Sequence, residues 1–146
     1  MKGKTAMLSS DYVIGLTDGE GSFCIFVRKP EKSAWKPRVE CHFYIKMRED
    51  ELPLLQKVRE FFGCGRISFQ KEYRENQRDN YRYQVSNLQE LNTVIIPFFR
   101  EKYLHSTPRK KDFELFCKII KLVNGKKHKT SAGIKRVQKL KSQMHS

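Results

Sequence analysis

Two acids, Asp18 and Glu20, sit among three glycines in "YVIGLTDGEGSF" (Tyr12–Phe23), at the end of an apolar, helix-like run. A glycine inside a helix costs roughly 1 kcal/mol relative to alanine, so Gly15 and Gly19 need a reason. They lie one turn apart on one side of the helix, where bare backbone lets a second helix cross closely. Val13, Ile14 and Leu16 supply the apolar surroundings such a crossing needs in water. The partner is either another helix of the same chain or the same helix of a second copy. Glu20 falls where this helix ends, and a carboxylate there opposes the negative end of the helix dipole. A divalent cation offsets that, and hard oxygen donors suit Mg²⁺. Two copies crossing at their glycines would bring two Glu20 carboxylates together as an acidic metal site. No GxxxxGK[ST] pattern is present, which sets aside a nucleotide phosphate loop.

The elements around this motif are readable from periodicity. Ser9 or Ser10 caps a first helix that runs through Glu20. Ser22–Lys29 reads as a strand, and Pro30–Pro37, with two prolines, as a loop. In Arg38–Met47 the alternation is strict: Val39, Cys41, Phe43, Ile45 and Met47 are apolar, and Arg38, Glu40, His42, Tyr44 and Lys46 are not. That is a strand with one buried and one polar face. A helix follows, with Leu55, Val58 and Phe62 at helical spacing and Gly63 as its stop. Ile67 and Phe69, then Tyr81, Tyr83 and Val85, predict a second hairpin across the polar Arg74–Asn80. A third helix follows from Leu88, bent or broken before Pro97. A fourth buries Phe113, Phe116, Cys117 and Ile120 and stops near Gly125. The order α-ββ-α-ββ-α-α defines one α+β domain over residues 1–125. It is built on a four-stranded antiparallel sheet, with a basic and partly helical tail at 126–146.

Helices must cover the apolar side of that sheet. The other side collects Ser22, Cys24, Phe26 and Arg28 with Arg38, Glu40, His42, Tyr44 and Lys46. From the second hairpin it gains Arg66, Ser68, Gln70, Asn80, Arg82 and Gln84. Arg, Lys, Gln and Asn on one surface are the donors that read guanine, adenine and phosphate.

Composition agrees. Thirty Lys and Arg against sixteen Asp and Glu give a net charge of +14, which favours polyanions, above all nucleic acid. No Asp or Glu follows Lys118, so the tail is read as an arm along a phosphate backbone. The four cysteines form no CxxC pair and have no histidine at finger spacing, which argues against zinc and for reduced thiols. The basic start is too short and polar for a secretory signal, and no apolar stretch reaches membrane-spanning length. These features place the protein inside the cell, in bacterial or archaeal cytoplasm or an organelle matrix.

"YVIGLTDGEGSF" resembles the signature of the LAGLIDADG homing endonucleases, with Val13–Gly21 on its nine positions. Gly15, Leu16, Asp18 and Gly21 are identical, and Glu20 replaces the final Asp. Leu54–Ile67 ("LLQKVREFFGCGRI") and Thr107–Phe116 ("TPRKKDFELF") extend the likeness over about Asp11–Asn124. The resemblance implies an αββαββα fold whose saddle-shaped sheet enters the DNA major groove. With one motif per chain it implies a homodimer on a pseudo-palindromic double-stranded site, packed through Val13, Gly15, Leu16 and Gly19. It also implies cleavage of both strands with short 3′ overhangs, in the service of intron homing. Glu20 and the Gly19 carbonyl would hold Mg²⁺, which Mn²⁺ or Ca²⁺ can replace in vitro, and Asp18 would structure the helix end. A family lysine matches the region of Arg109, with Lys110 and Lys111 alongside, so the catalytic cation is Arg109 or Lys111. Where members carry a polar, water-positioning residue at the end of the second strand, this chain has Met47. No membrane and no small-molecule substrate is implied. Two other readings stand beside the nuclease: a non-cleaving binder on the same fold (an intron RNA maturase or a regulator), and a ribosome-associated basic protein.

Overall fold

Ser9 starts the first helix, its hydroxyl accepting the Tyr12 N–H at 3.1 Å. In the computed structural model, which describes residues 7–28 and 37–145, that helix is α1 (Ser10–Glu20). β1 (Gly21–Arg28) follows without a linker, because Gly21 makes the corner. A Cβ there would lie 2.6 Å from Thr17 Cγ2 and 2.9 Å from the Thr17 carbonyl, so only glycine fits. β2 (Arg38–Arg48) leads through a single 3₁₀ turn (Glu49–Glu51) into α2 (Leu52–Phe62). Gly63 ends α2 at φ 72°, in the left-handed region glycine enters without penalty. β3 (Arg66–Gln70) and β4 (Asn80–Val85) form the second hairpin.

Before Pro97 the regular α-helix is interrupted by one π-helical turn. α3 (Leu88–Glu90) passes into a π-helical turn (Leu91–Ile95) and then α4 (Ile96–Glu101). The widened turn accommodates Pro97, which has no N–H to donate and whose ring crowds the carbonyl four residues back. α5 (Thr107–Asn124) is capped by Ser106 and ends at Gly125, and a 3₁₀ turn (Lys127–Lys129) leads to α6 (Ser131–Ser142). The loop predicted at Pro30–Pro37 lies, except for Pro37, outside the described residues.

The strands form one antiparallel sheet in the order β1-β2-β4-β3. By its contacts the chain divides into two compact units, Met1–Ser22 with Phe43–His105 and Phe23–His42 with Ser106–Ser146. In the first, α2 and α4 bring Phe62 and Phe99 onto Phe43, with ring centroids 6.0 and 5.4 Å apart, and Tyr83 completes the cluster. Phe43, Ile45, Leu55, Val58, Tyr83, Val85, Leu91 and Ile95 are fully buried there. In the second, α5 packs Phe113 and Phe116 on Phe23 at 5.2 and 5.3 Å, and α6 buries Val137 and Leu140. Cys41 and Cys117 are buried, and Cys24 and Cys64 half-buried. Among the described residues no helix is long and apolar enough to cross a membrane.

Candidate active site and nucleic-acid interface

The outward side of α1 is bare. Gly15 and Gly19 are exposed, and a Cβ at either would have no neighbour within 4 Å. Leu16 is half-buried beside them, and an open groove of about 380 Å³ runs past Gly15 toward Tyr103 and His105. Val13 requires a correction: it is 0% exposed, buried in this chain's own core rather than offered to a partner. It lies roughly 200° around the helix from Gly15, on the face of Thr17.

Glu20 ends α1 exposed, while Asp18 is half-buried. Both Asp18 carboxylate oxygens accept the His105 backbone N–H, at 3.1 and 3.0 Å. The two acids of the motif thus differ in role: Asp18 ties down the segment after α4, and Glu20 is presented outward. No basic residue occupies the last turn of α1 to complement its negative end.

Arg109 and Lys110 lie in the first turn of α5, which holds no acid to offset the positive end of the helix dipole, and Lys111 follows. Arg109 is half-buried, and its backbone N–H reaches the Ser106 hydroxyl at 3.4 Å; Lys111 is exposed. Cations added to a helix N-terminus concentrate positive potential, an arrangement suited to phosphate.

In the first unit, register places the predicted side chains in rows across β2, β4 and β3. Tyr44, Gln84 and Arg66 form one row; Lys46, Arg82 and Ser68 the next. The third row joins Asn80 and Gln70 with Arg48, a residue the sequence reading missed because it ended the strand at Met47. One more step of the same alternation would have found it. Arg48 is held by Asp50 through two bonds of 3.2 and 2.8 Å. The Arg82 guanidinium carbon lies 4.1 Å over the centre of the Tyr44 ring, and its Nε is buried without a hydrogen-bond partner.

In the second unit Glu40 is a hub. One carboxylate oxygen takes Arg38 at 3.0 Å and Arg28 at 3.4 Å; the other faces His42 Nε2 at 3.4 Å. Phe26 lies 5.4 Å from the His42 ring and 5.0 Å beneath the Arg28 guanidinium. Burial pushes the Glu40 pKa up, but Arg28, His42 and Arg38 together outweigh it and hold the carboxyl below its ordinary value. Glu40 therefore organises two arginines and a histidine.

The LAGLIDADG endonuclease family model matches residues 13–120, and the chain belongs to that family. It is 32% identical over 133 residues, 90% of its length, to a probable intron-encoded endonuclease of Neurospora crassa, of which it spans only 28%. Its fold matches I-SmaMI, a LAGLIDADG homing endonuclease solved bound to cleaved DNA, with a TM-score of 0.82 and 30% identity. The match covers 99% of this chain and 46% of that one. I-SmaMI has also been solved on uncleaved DNA in the presence of calcium ions. The homing endonuclease I-TnaI matches with a TM-score of 0.80 and 26% identity, over 97% of this chain and 90% of that one.

Proposed function

We propose that this chain is one half of a site-specific, metal-dependent DNA endonuclease that acts as a homodimer. Each copy would read one half of a pseudo-palindromic site. The observation that carries the reading is α1 itself: a helix with a bare Gly15–Gly19 edge delivering an exposed carboxylate, Glu20, at its end. Crossing two such helices gives each strand of a duplex its own carboxylate.

The donor types fit a hard cation, since Glu20 offers carboxylate oxygens and Gly19 a carbonyl. Among the described residues no three His, Cys, Asp or Glu gather as a metal site, so one copy alone is an incomplete ligand set. The second Glu20, phosphate oxygens and water would complete it. When bound, Mg²⁺ supplies the polarisation that makes water nucleophilic and stabilises the leaving oxygen. The chain's own residues do the rest. Arg109 or Lys111 balances charge at the scissile phosphate. The rows headed by Tyr44, Lys46 and Arg48 read the groove. Alternate residues on a strand step roughly 6.8 Å, two base pairs of duplex, so successive rows address successive dinucleotides.

The test is cleavage of a randomised DNA library with Mg²⁺ and with EDTA, followed by sequencing of the cut ends. Paired breaks with a short 3′ offset at one approximate palindrome, only with Mg²⁺, are expected. Binding without breaks under every metal tried would leave a nucleic-acid-binding module on the same fold.

A further inference from the structure

The tail brings a histidine to the sheet edge. After α6 the chain turns so that the His145 backbone N–H donates to Asp112 Oδ1 at 2.9 Å, and its ring Nδ1 meets Oδ2 at 3.0 Å. Asp112, on α5, is 5% exposed. An imidazole that gives its Nδ1 proton to a carboxylate presents Nε2 as an acceptor. That Nε2 lies 4.0 Å from the Cys24 sulfur, on edge strand β1. Thiol, imidazole and buried carboxylate stand in the order that activates a nucleophile: base beside sulfur, orienting acid behind base. The His145 side chain is 49% exposed, and an open groove of about 490 Å³ lined by Ile25, Val27, Lys141, Ser142 and His145 reaches the imidazole.

We propose that Cys24 is a reactive thiol and a modification site for small electrophiles and peroxide, with His145 as its base and Asp112 as the residue that positions the base. Nε2 takes the thiol proton. With hydrogen peroxide the thiolate attacks one oxygen, the O–O bond breaks, and the departing hydroxide takes the proton from the imidazolium as water. Sulfur is oxidised by two electrons to the sulfenic acid, and peroxide is reduced. The other thiols differ. Cys41 and Cys117 are buried, burial pushes the Cys41 thiol up to about 12, and burial with Glu90 raises that of Cys64. Cys24 lies between Ser22 and Phe26 on the polar side of β1. Resting on the endonuclease reading, its modification obstructs the nucleic-acid face and makes binding redox-sensitive.

The test needs no DNA. The full chain at pH 7 is treated with limiting iodoacetamide, and each cysteine's rate is read by peptide mass spectrometry against the same chain in denaturant. Cys24 should react at least about a hundredfold faster folded than denatured, the lower range of general-base assistance. His145→Gln, which keeps the backbone bond to Asp112, should remove that excess at an unchanged melting temperature, and added imidazole should partly restore it. Asp112→Asn should slow alkylation as well. A Cys24 rate equal to that of the denatured chain, or one indifferent to His145→Gln, overturns the proposal. Separately, peroxide should weaken DNA binding of wild type at least about tenfold, reversibly with a thiol reductant, and spare Cys24→Ala. An untreated protein that binds no DNA counts against the endonuclease reading and leaves the alkylation result standing.

Discussion

The carboxylate of Asp18 receives the backbone N–H of His105 through both oxygens, fixing the end of α1 to a residue 87 positions away. A charge-assisted bond of this kind is worth about 1.5–3 kcal/mol. Asp18→Ala should lower stability by about that amount in urea melts, and Asp18→Asn, whose amide oxygen still accepts, by less. Glu20→Gln, at an exposed position, should raise stability by at most about 0.3–1 kcal/mol, because it removes a charge that opposes the helix dipole. Equal destabilisation by both would mean that the two acids do not divide structure and chemistry between them.

The three glycines of the motif serve different ends, and substitution separates them. Gly15→Ala and Gly19→Ala meet open space, so each should stabilise the isolated chain by roughly 0.5–1 kcal/mol through helix propensity. Gly21→Ala drives its Cβ into Thr17 and should cost about 1–3 kcal/mol. On the proposed homodimer, wild type should sediment as a dimer, and Gly15→Leu should fold normally yet sediment as a monomer. If both sediment alike, the bare edge of α1 is not the self-association surface.

Arg82 is held over the Tyr44 ring with a buried Nε that has no hydrogen-bond partner, which limits the positions its planar guanidinium can take. Arg82→Lys keeps the charge but loses the plane. It should weaken binding to the cognate site by about 1–3 kcal/mol in fluorescence anisotropy, with little change on scrambled DNA. An equal loss on both sequences would make Arg82 a phosphate contact.

Glu40 gives a pH signature. Its carboxyl is held below the ordinary value of 4.5, so the folded state favours the ionised form. The stabilisation is complete above about pH 4.5 and is lost as pH falls through the lower folded-state value. The melting temperature of wild type should therefore fall more steeply under acid than that of Glu40→Gln. Parallel profiles would show that the Arg28–Glu40–Arg38 cluster contributes nothing to folding.

What sequence could reveal followed from local period. Strict alternation in β2 fixed its polar face, and register carried that face across β4 and β3. The glycine spacing on α1 marked its bare edge; the burial of Val13 was available from the same helical angle. What could not be read depends on closure over distance. The grip of Asp18 on His105, and the approach of His145 to Asp112 and Cys24, have no local pattern, because tertiary packing alone brings those residues together. Alternation placed Glu40 on the polar face of β2, where Arg38 lies two residues away on the same strand; the Arg28 contact from β1 takes tertiary structure to see.

The central claim is that Glu20 performs the chemistry and contributes little else. It is tested most directly by comparing wild type and Glu20→Gln on one DNA target, measuring affinity in EDTA and cleavage in Mg²⁺. The expected result is equal affinity, with cleavage by the variant reduced at least about a hundredfold. Undiminished cleavage by Glu20→Gln would contradict the assignment of this residue and, with it, the role given to the end of α1.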